Sequence, residues 1–96
     1  MILVAESRRE RVRGLRGQSS LDPNEGLLLE RCRSVHTFGM HFAIDVVLLD
    51  ACACPIGVRT LVPGRLLLPR RGVRQIVEVA AGRGEAFRSA LLHADG

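Results

Sequence analysis

The longest strand-like pattern in the chain runs from Cys32 to Asp50, reading CRSVHTFGMHFAIDVVLLD. In an extended strand, successive side chains point to opposite faces. Cys32, Ser34, His36, Phe38, Met40, Phe42 and Ile44 share one parity, which turns apolar from Phe38 onward and is assigned to a core. Arg33, Val35, Thr37, Gly39, His41, Ala43 and Asp45 share the other. Gly39 interrupts the run and predicts a bulge or bend. From Ile44 to Leu49 the chain is apolar on both parities except at Asp45. That pattern fits a central strand covered on both faces. Asp45 is then a carboxylate close to buried surface, where it must be hydrogen-bonded, paired or neutralised. The expected donors are Thr37, a nearby backbone N–H or an arginine.

The flanking pattern supplies the remaining elements. Ile2 to Ala5 is a short apolar run that reads as an edge strand. Ser7 and Glu10 fit a capping box and predict a helix of two to three turns ending near Gly14 or Gly17. Val12 and Leu15 face inward on it, and Arg8, Arg9, Arg11, Arg13 and Arg16 face outward. Asp22-Pro23-Asn24 with Gly26 is turn chemistry, and a strand begins at Leu27. After Asp50 the chain reverses, and Val58 to Val62 reads as the return strand. Pro63-Gly64 is a turn, Arg65 to Pro69 a short apolar piece, and Gln75 to Ala80 a strand. A short helix, Glu85 to Leu92, closes the pattern with Phe87, Ala90 and Leu91 as its core stripe. Short strands separated by turns, with one or two short helices, predict a mainly β (β-rich α+β) fold. The expected architecture is a small sandwich or partly closed barrel, built as a single domain over residues 1–96.

Several of these segments carry a family likeness. Ser34 to Met40, Ile44-Asp45-Val46-Val47 and Leu49-Asp50 resemble the central motif of an uncharacterised family catalogued as domain of unknown function 192. Arg13-Gly14-Leu15 and Glu25 to Leu29 resemble its N-terminal part, and Val77 to Gly82 its closing strand. The likeness covers roughly Glu6 to Gly82. It implies a small β-rich fold with little helix, and it implies no activity. The chain departs from the family pattern at three places. Ala43 stands where proline is usual, and His41 where a basic or small polar residue is usual. Ala51-Cys52-Ala53-Cys54-Pro55 replaces an Asp-Gly type of hairpin turn.

Composition narrows the partners. A chain of 96 residues supports one core, and with no Trp, no Tyr and three Phe that core must be aliphatic. The same lack of aromatic platforms argues against single-stranded nucleic acid. The net charge is +4 and all fourteen basic residues are arginine. Their scatter along most of the chain points to a GC-rich coding bias rather than a selected surface, although the balance favours weak attraction to polyanions. Three cysteines with no evident bridge point to a reducing compartment, and the chain is expected in the cytoplasm. No stretch approaches the roughly 20 apolar residues of a membrane span, and no membrane partner is expected.

The candidate chemistry lies on the central stretch. Arg33, His36, Thr37, His41 and Asp45 form the expected ligand-binding face, suited to a small anion or a partner protein. This favours a binding or accessory module without catalytic activity. A metal-dependent enzyme is the alternative, with His36, His41 and Asp45 holding zinc or iron. The two histidines are five residues apart, so only a bulge at Gly39 places them on one face. Cys32, Cys52 and Cys54 are a second possible metal set, for zinc or copper(I). A nucleic-acid interface through Arg8 to Arg16 is a further alternative. No Gly-x-Ser-x-Gly elbow and no phosphate-cradling glycine loop occurs. The sequence names no cofactor.

Overall fold

The structure, a computed structural model, describes residues 2–4 and 22–93. The helix expected after Ser7, with its arginines from Arg8 to Arg16, lies outside the described residues. The strands are β1 (Ile2–Val4), β2 (Gly26–Leu29), β3 (Val35–His36), β4 (Ile44–Leu49), β5 (Pro55–Leu61), β6 (Leu66–Leu67) and β7 (Gln75–Ala80). Among the described residues one helix, α1 (Gly84–Leu92), follows them. Five strands make one sheet in the order β1-β2-β7-β4-β5. Within it β1 runs parallel to β2, and the other pairs are antiparallel. A separate antiparallel ribbon pairs β3 with β6. The fold is mainly β, as the pattern predicts, and among the described residues the sheets do not close into a barrel.

All six residues of β4 are buried. β4 lies between β5 and β7, so both its edges are hydrogen-bonded, and the sheet is covered on both faces. Ile44, Val46 and Leu48 point to one face, packing with Ile76 and Leu61 of the sheet, with Val35 of β3 and with Cys32, Met40 and Val73 from the overlying loops. Val47 and Leu49 point to the other, packing with Val77, Val79 and Phe87 of α1. At roughly 25 cal/mol per Å² of apolar surface buried, these two layers are the main source of stability. In α1, Phe87 is buried and Leu91 half-buried, whereas Ala90 is exposed. The inward stripe is therefore narrower than its spacing predicts.

The largest departure is between Cys32 and Ala43. Only Val35–His36 is strand there, with a turn at residues 38–39 and bends at 41–42. Val35 and Thr37 are fully buried and Phe38 is exposed, the reverse of the predicted parity. Gly39 has φ 79°, the left-handed region that glycine enters freely. It turns the chain instead of bulging a continuous strand. Met40 and Ile44 return to the core, and Phe42 packs against it.

β7 holds a second surprise. Glu78, on the parity of Ile76, lies opposite Val46 and is only 2% exposed. It takes part in a polar interaction, as a buried carboxylate must.

Candidate functional site

The structure separates the five residues of the predicted face. Asp45 has the parity of Val47 and Leu49, so it points to the α1 side of the sheet. It is 4% exposed. Its Oδ1 accepts a hydrogen bond from Thr60 Oγ1 at 2.7 Å. Its Oδ2 accepts the backbone N–H groups of Gly82 at 3.0 Å and Gly84 at 2.9 Å. These groups open α1, where free N–H groups and the helix dipole favour negative charge. The close approach needs glycine, since a Cβ on Gly84 would stand 2.6 Å from Val58 Cγ1 and 2.9 Å from Asp45 Oδ2. Of the donors expected for Asp45, the backbone N–H groups are present and Thr37 is not among them.

Thr37 instead ties two loops together. Its Oγ1 donates to the carbonyl of Val62 at 2.7 Å and accepts the N–H of Arg65 at 2.8 Å. Its own N–H donates to the carbonyl of Arg65 at 2.8 Å, and its carbonyl accepts Gly64 N–H at 3.0 Å. Every polar group of Thr37 is used by the fold. His36, half-buried in β3, accepts the N–H of Phe38 on Nδ1 at 3.3 Å and stacks on the Phe38 ring at 5.0 Å. His41 is exposed in the bend that follows.

The ribbon carrying His36 packs through Val35 and Leu67 on the face of the sheet opposite to Asp45. The sheet therefore stands between His36 and Asp45. Among the described residues no group of three or more His, Cys, Asp or Glu is placed to hold a metal ion. The three cysteines also diverge. Cys32 is buried and its Sγ donates to the carbonyl of Ser34 at 3.1 Å, while Cys52 and Cys54 are exposed at the β4–β5 hairpin.

Arg33 lies elsewhere, in a groove that sequence reading missed. The groove holds about 440 Å³ and is lined by Glu30, Arg31, Arg33, Ala51, Arg74 and Gln75. Three hydrogen bonds, two between backbone groups and one from a side chain, bring these residues together. Cys32 N–H donates to the carbonyl of Arg74 at 3.0 Å, and Arg74 N–H donates to the carbonyl of Leu49 at 2.9 Å. Gln75 Nε2 donates to the carbonyl of Asp50 at 3.2 Å. The end of β2, the end of β4 and the start of β7 thus converge at one end of the sheet. Arg31 takes φ 51°, a conformation that a side-chain-bearing residue adopts at some cost. Among the described residues the one recorded ion pair is Arg88 with Glu85 on α1, so Arg31, Arg33 and Arg74 have no carboxylate partner there. Guanidinium groups in such a setting are matched by a planar carboxylate or a phosphate, which accepts two parallel N–H bonds from each fork. No local signal marks Arg74, because only the pairing of distant backbone segments sets it beside Arg31 and Arg33.

Fold and groove together define a small β-sheet protein with an arginine-lined cleft at one sheet end. The chain belongs to the uncharacterised family DUF192 ("Uncharacterized ACR"), which matches residues 1–89. No curated protein and no solved structure matches the chain significantly.

Proposed function

We propose that this chain is a small β-rich binding module, a single domain that takes a carboxylate- or phosphate-bearing ligand in the groove of Arg31, Arg33 and Arg74. One observation carries the reading: three arginines line one cleft, and none forms an ion pair among the described residues. Surface arginines scattered singly are ordinary, but like charges gathered on a concave surface focus the field toward an anion. Gln75 adds a carboxamide, and Glu30 in the lining disfavours ligands whose charge extends that way. The sequence-based expectation of an anionic ligand is kept with Arg33, and the rest of the site moves. Thr37 and Asp45 are committed to internal hydrogen bonds, and His36 and His41 do not line the groove. The reading is one of binding, and no reaction step is assigned to the groove.

The test is calorimetric titration with inorganic phosphate and with citrate. Binding is expected, and Arg33→Ala or Arg74→Ala each weakens it about tenfold or more, the scale of a lost charge-assisted hydrogen bond. Arg88→Ala, remote on α1, is the control. Absence of binding to both anions, or equal binding by the groove variants and the control, overturns the reading.

A further inference from the structure

We propose a second function for a different surface: the outward face of the β3–β6 ribbon docks the protein onto an anionic lipid surface. The ribbon has two sides. Val35 pairs with Leu67, and both face the core. His36 pairs with Leu66, so by alternation both face outward. Phe38 stacks on His36 and joins that side. The bonds from Thr37 to Val62 and Arg65 hold the Pro63-Gly64 turn beside it. Phe38, Val62, Leu66 and Leu68 are 48%, 46%, 53% and 65% exposed. Four large apolar side chains on one small ribbon and its turn exceed the singly scattered apolar residues of an ordinary surface.

Charge decides the occupant. Between Asp50 and Glu78 the chain has five arginines and no acid. Arg65, Arg70 and Arg71 in that stretch are exposed and flank the apolar residues in sequence. A second copy would bring the same positive surface against itself, which like-charge repulsion opposes. A stable protein interface needs about 800 Å² from each side, supplied by some 20–30 residues. The ribbon and its turn offer only a handful. A lipid interface asks for less, namely a few apolar tips that reach the acyl boundary and cations that meet anionic headgroups. The expectation that the chain engages no membrane rested on the lack of a span. No described helix is long and apolar enough to cross one, and surface docking needs no span.

The experiment is co-sedimentation of the full chain with phosphatidylcholine vesicles, with and without phosphatidylglycerol, across a salt series. The protein is expected to pellet with the anionic vesicles and not with the neutral ones, and to be released as salt rises. The double variant Leu66→Ser, Leu68→Ser is expected to lose about tenfold or more of its partitioning. Arg70→Ala with Arg71→Ala is expected to lose about tenfold. All four positions are exposed, and an unchanged thermal melt confirms that each variant folds. Arg33→Ala keeps vesicle binding, which separates this surface from the groove. Three outcomes overturn the proposal. One is no pelleting with anionic vesicles at low salt. Another is equal pelleting by the leucine variant. The third is soluble polyglutamate binding as tightly as vesicles with the same dependence on the leucines, which assigns the face to an acidic protein.

Discussion

Asp45 Oδ2 lies 2.9 Å from the backbone nitrogen of Gly84, joining strand β4 to the first residue of α1 across 39 positions of sequence. Arg83, the residue at the helix N-cap, makes no capping hydrogen bond with its own side chain. The carboxylate of a distant strand does that work, and it satisfies Gly82 and Thr60 as well.

Removing that carboxylate takes the acceptor from three donors. Asp45→Ala is expected to cost about 2–3 kcal/mol, chiefly because the buried Gly84 N–H is left unpaired, while Thr60 and Gly82 are exposed and can turn to water. Asp45→Asn keeps the shape but turns an NH₂ toward one group of donors and weakens the attraction to the helix terminus. Its expected cost is about 1–2 kcal/mol. Urea unfolding with linear extrapolation measures both. Wild-type stability in the alanine variant contradicts the role given to this carboxylate.

The β4–β5 hairpin predicts a gain rather than a loss. Ala53 N–H donates to the carbonyl of Asp50, and Asp50 N–H donates to the carbonyl of Cys54, both at 3.0 Å. Asp50 Oδ1 further accepts the N–H groups of Cys52 and Cys54. This is a three-residue loop whose last position is left-handed, the place where glycine is preferred. Ala53 occupies it at φ 62°. Ala53→Gly relieves the Cβ penalty and is expected to stabilise the protein by about 1 kcal/mol, read as a raised melting temperature. A lowered one shows that chain entropy outweighs the strain.

Thr37 gives a third, local prediction. Thr37→Val preserves shape and removes both the donor to Val62 and the acceptor for Arg65. A loss of about 1–3 kcal/mol is expected. Amide exchange at Arg65 is the sharper readout, because that N–H loses its acceptor while the amides of β4 keep theirs. Unchanged protection at Arg65 speaks against the loop tie.

Much of this architecture is legible in the residues. β7 begins and ends at the predicted positions, Gln75 and Ala80, because a β-branched run between turn residues has few alternatives. Ile44 to Leu49 reads as a doubly covered strand and is one. Residues 32–43 misread because a two-residue period presumes extended chain. There Thr37 takes loop backbone groups as its partners and Gly39 turns the chain, so Phe38 swings outward. The sites are harder to read than the strands. Asp45 is recognisable as an acid in need of donors, yet those donors come from 15 to 39 residues away. The groove is illegible for the same reason, since Arg74 meets Arg33 only through the bond from Cys32 to the Arg74 carbonyl.

The dependence of α1 on a strand carboxylate also sets an order of events as the protein folds. Nine residues are too few to hold helical structure alone in water, where nucleation is costly. The segment gains its terminus only once β4 and β7 have aligned, and its apolar side only once Val47 and Val79 are in place. The last element therefore assembles late, as a read-out of a finished sheet. Loosening at Asp45 would spread to the chain's C-terminal end before it reached the middle of the sheet.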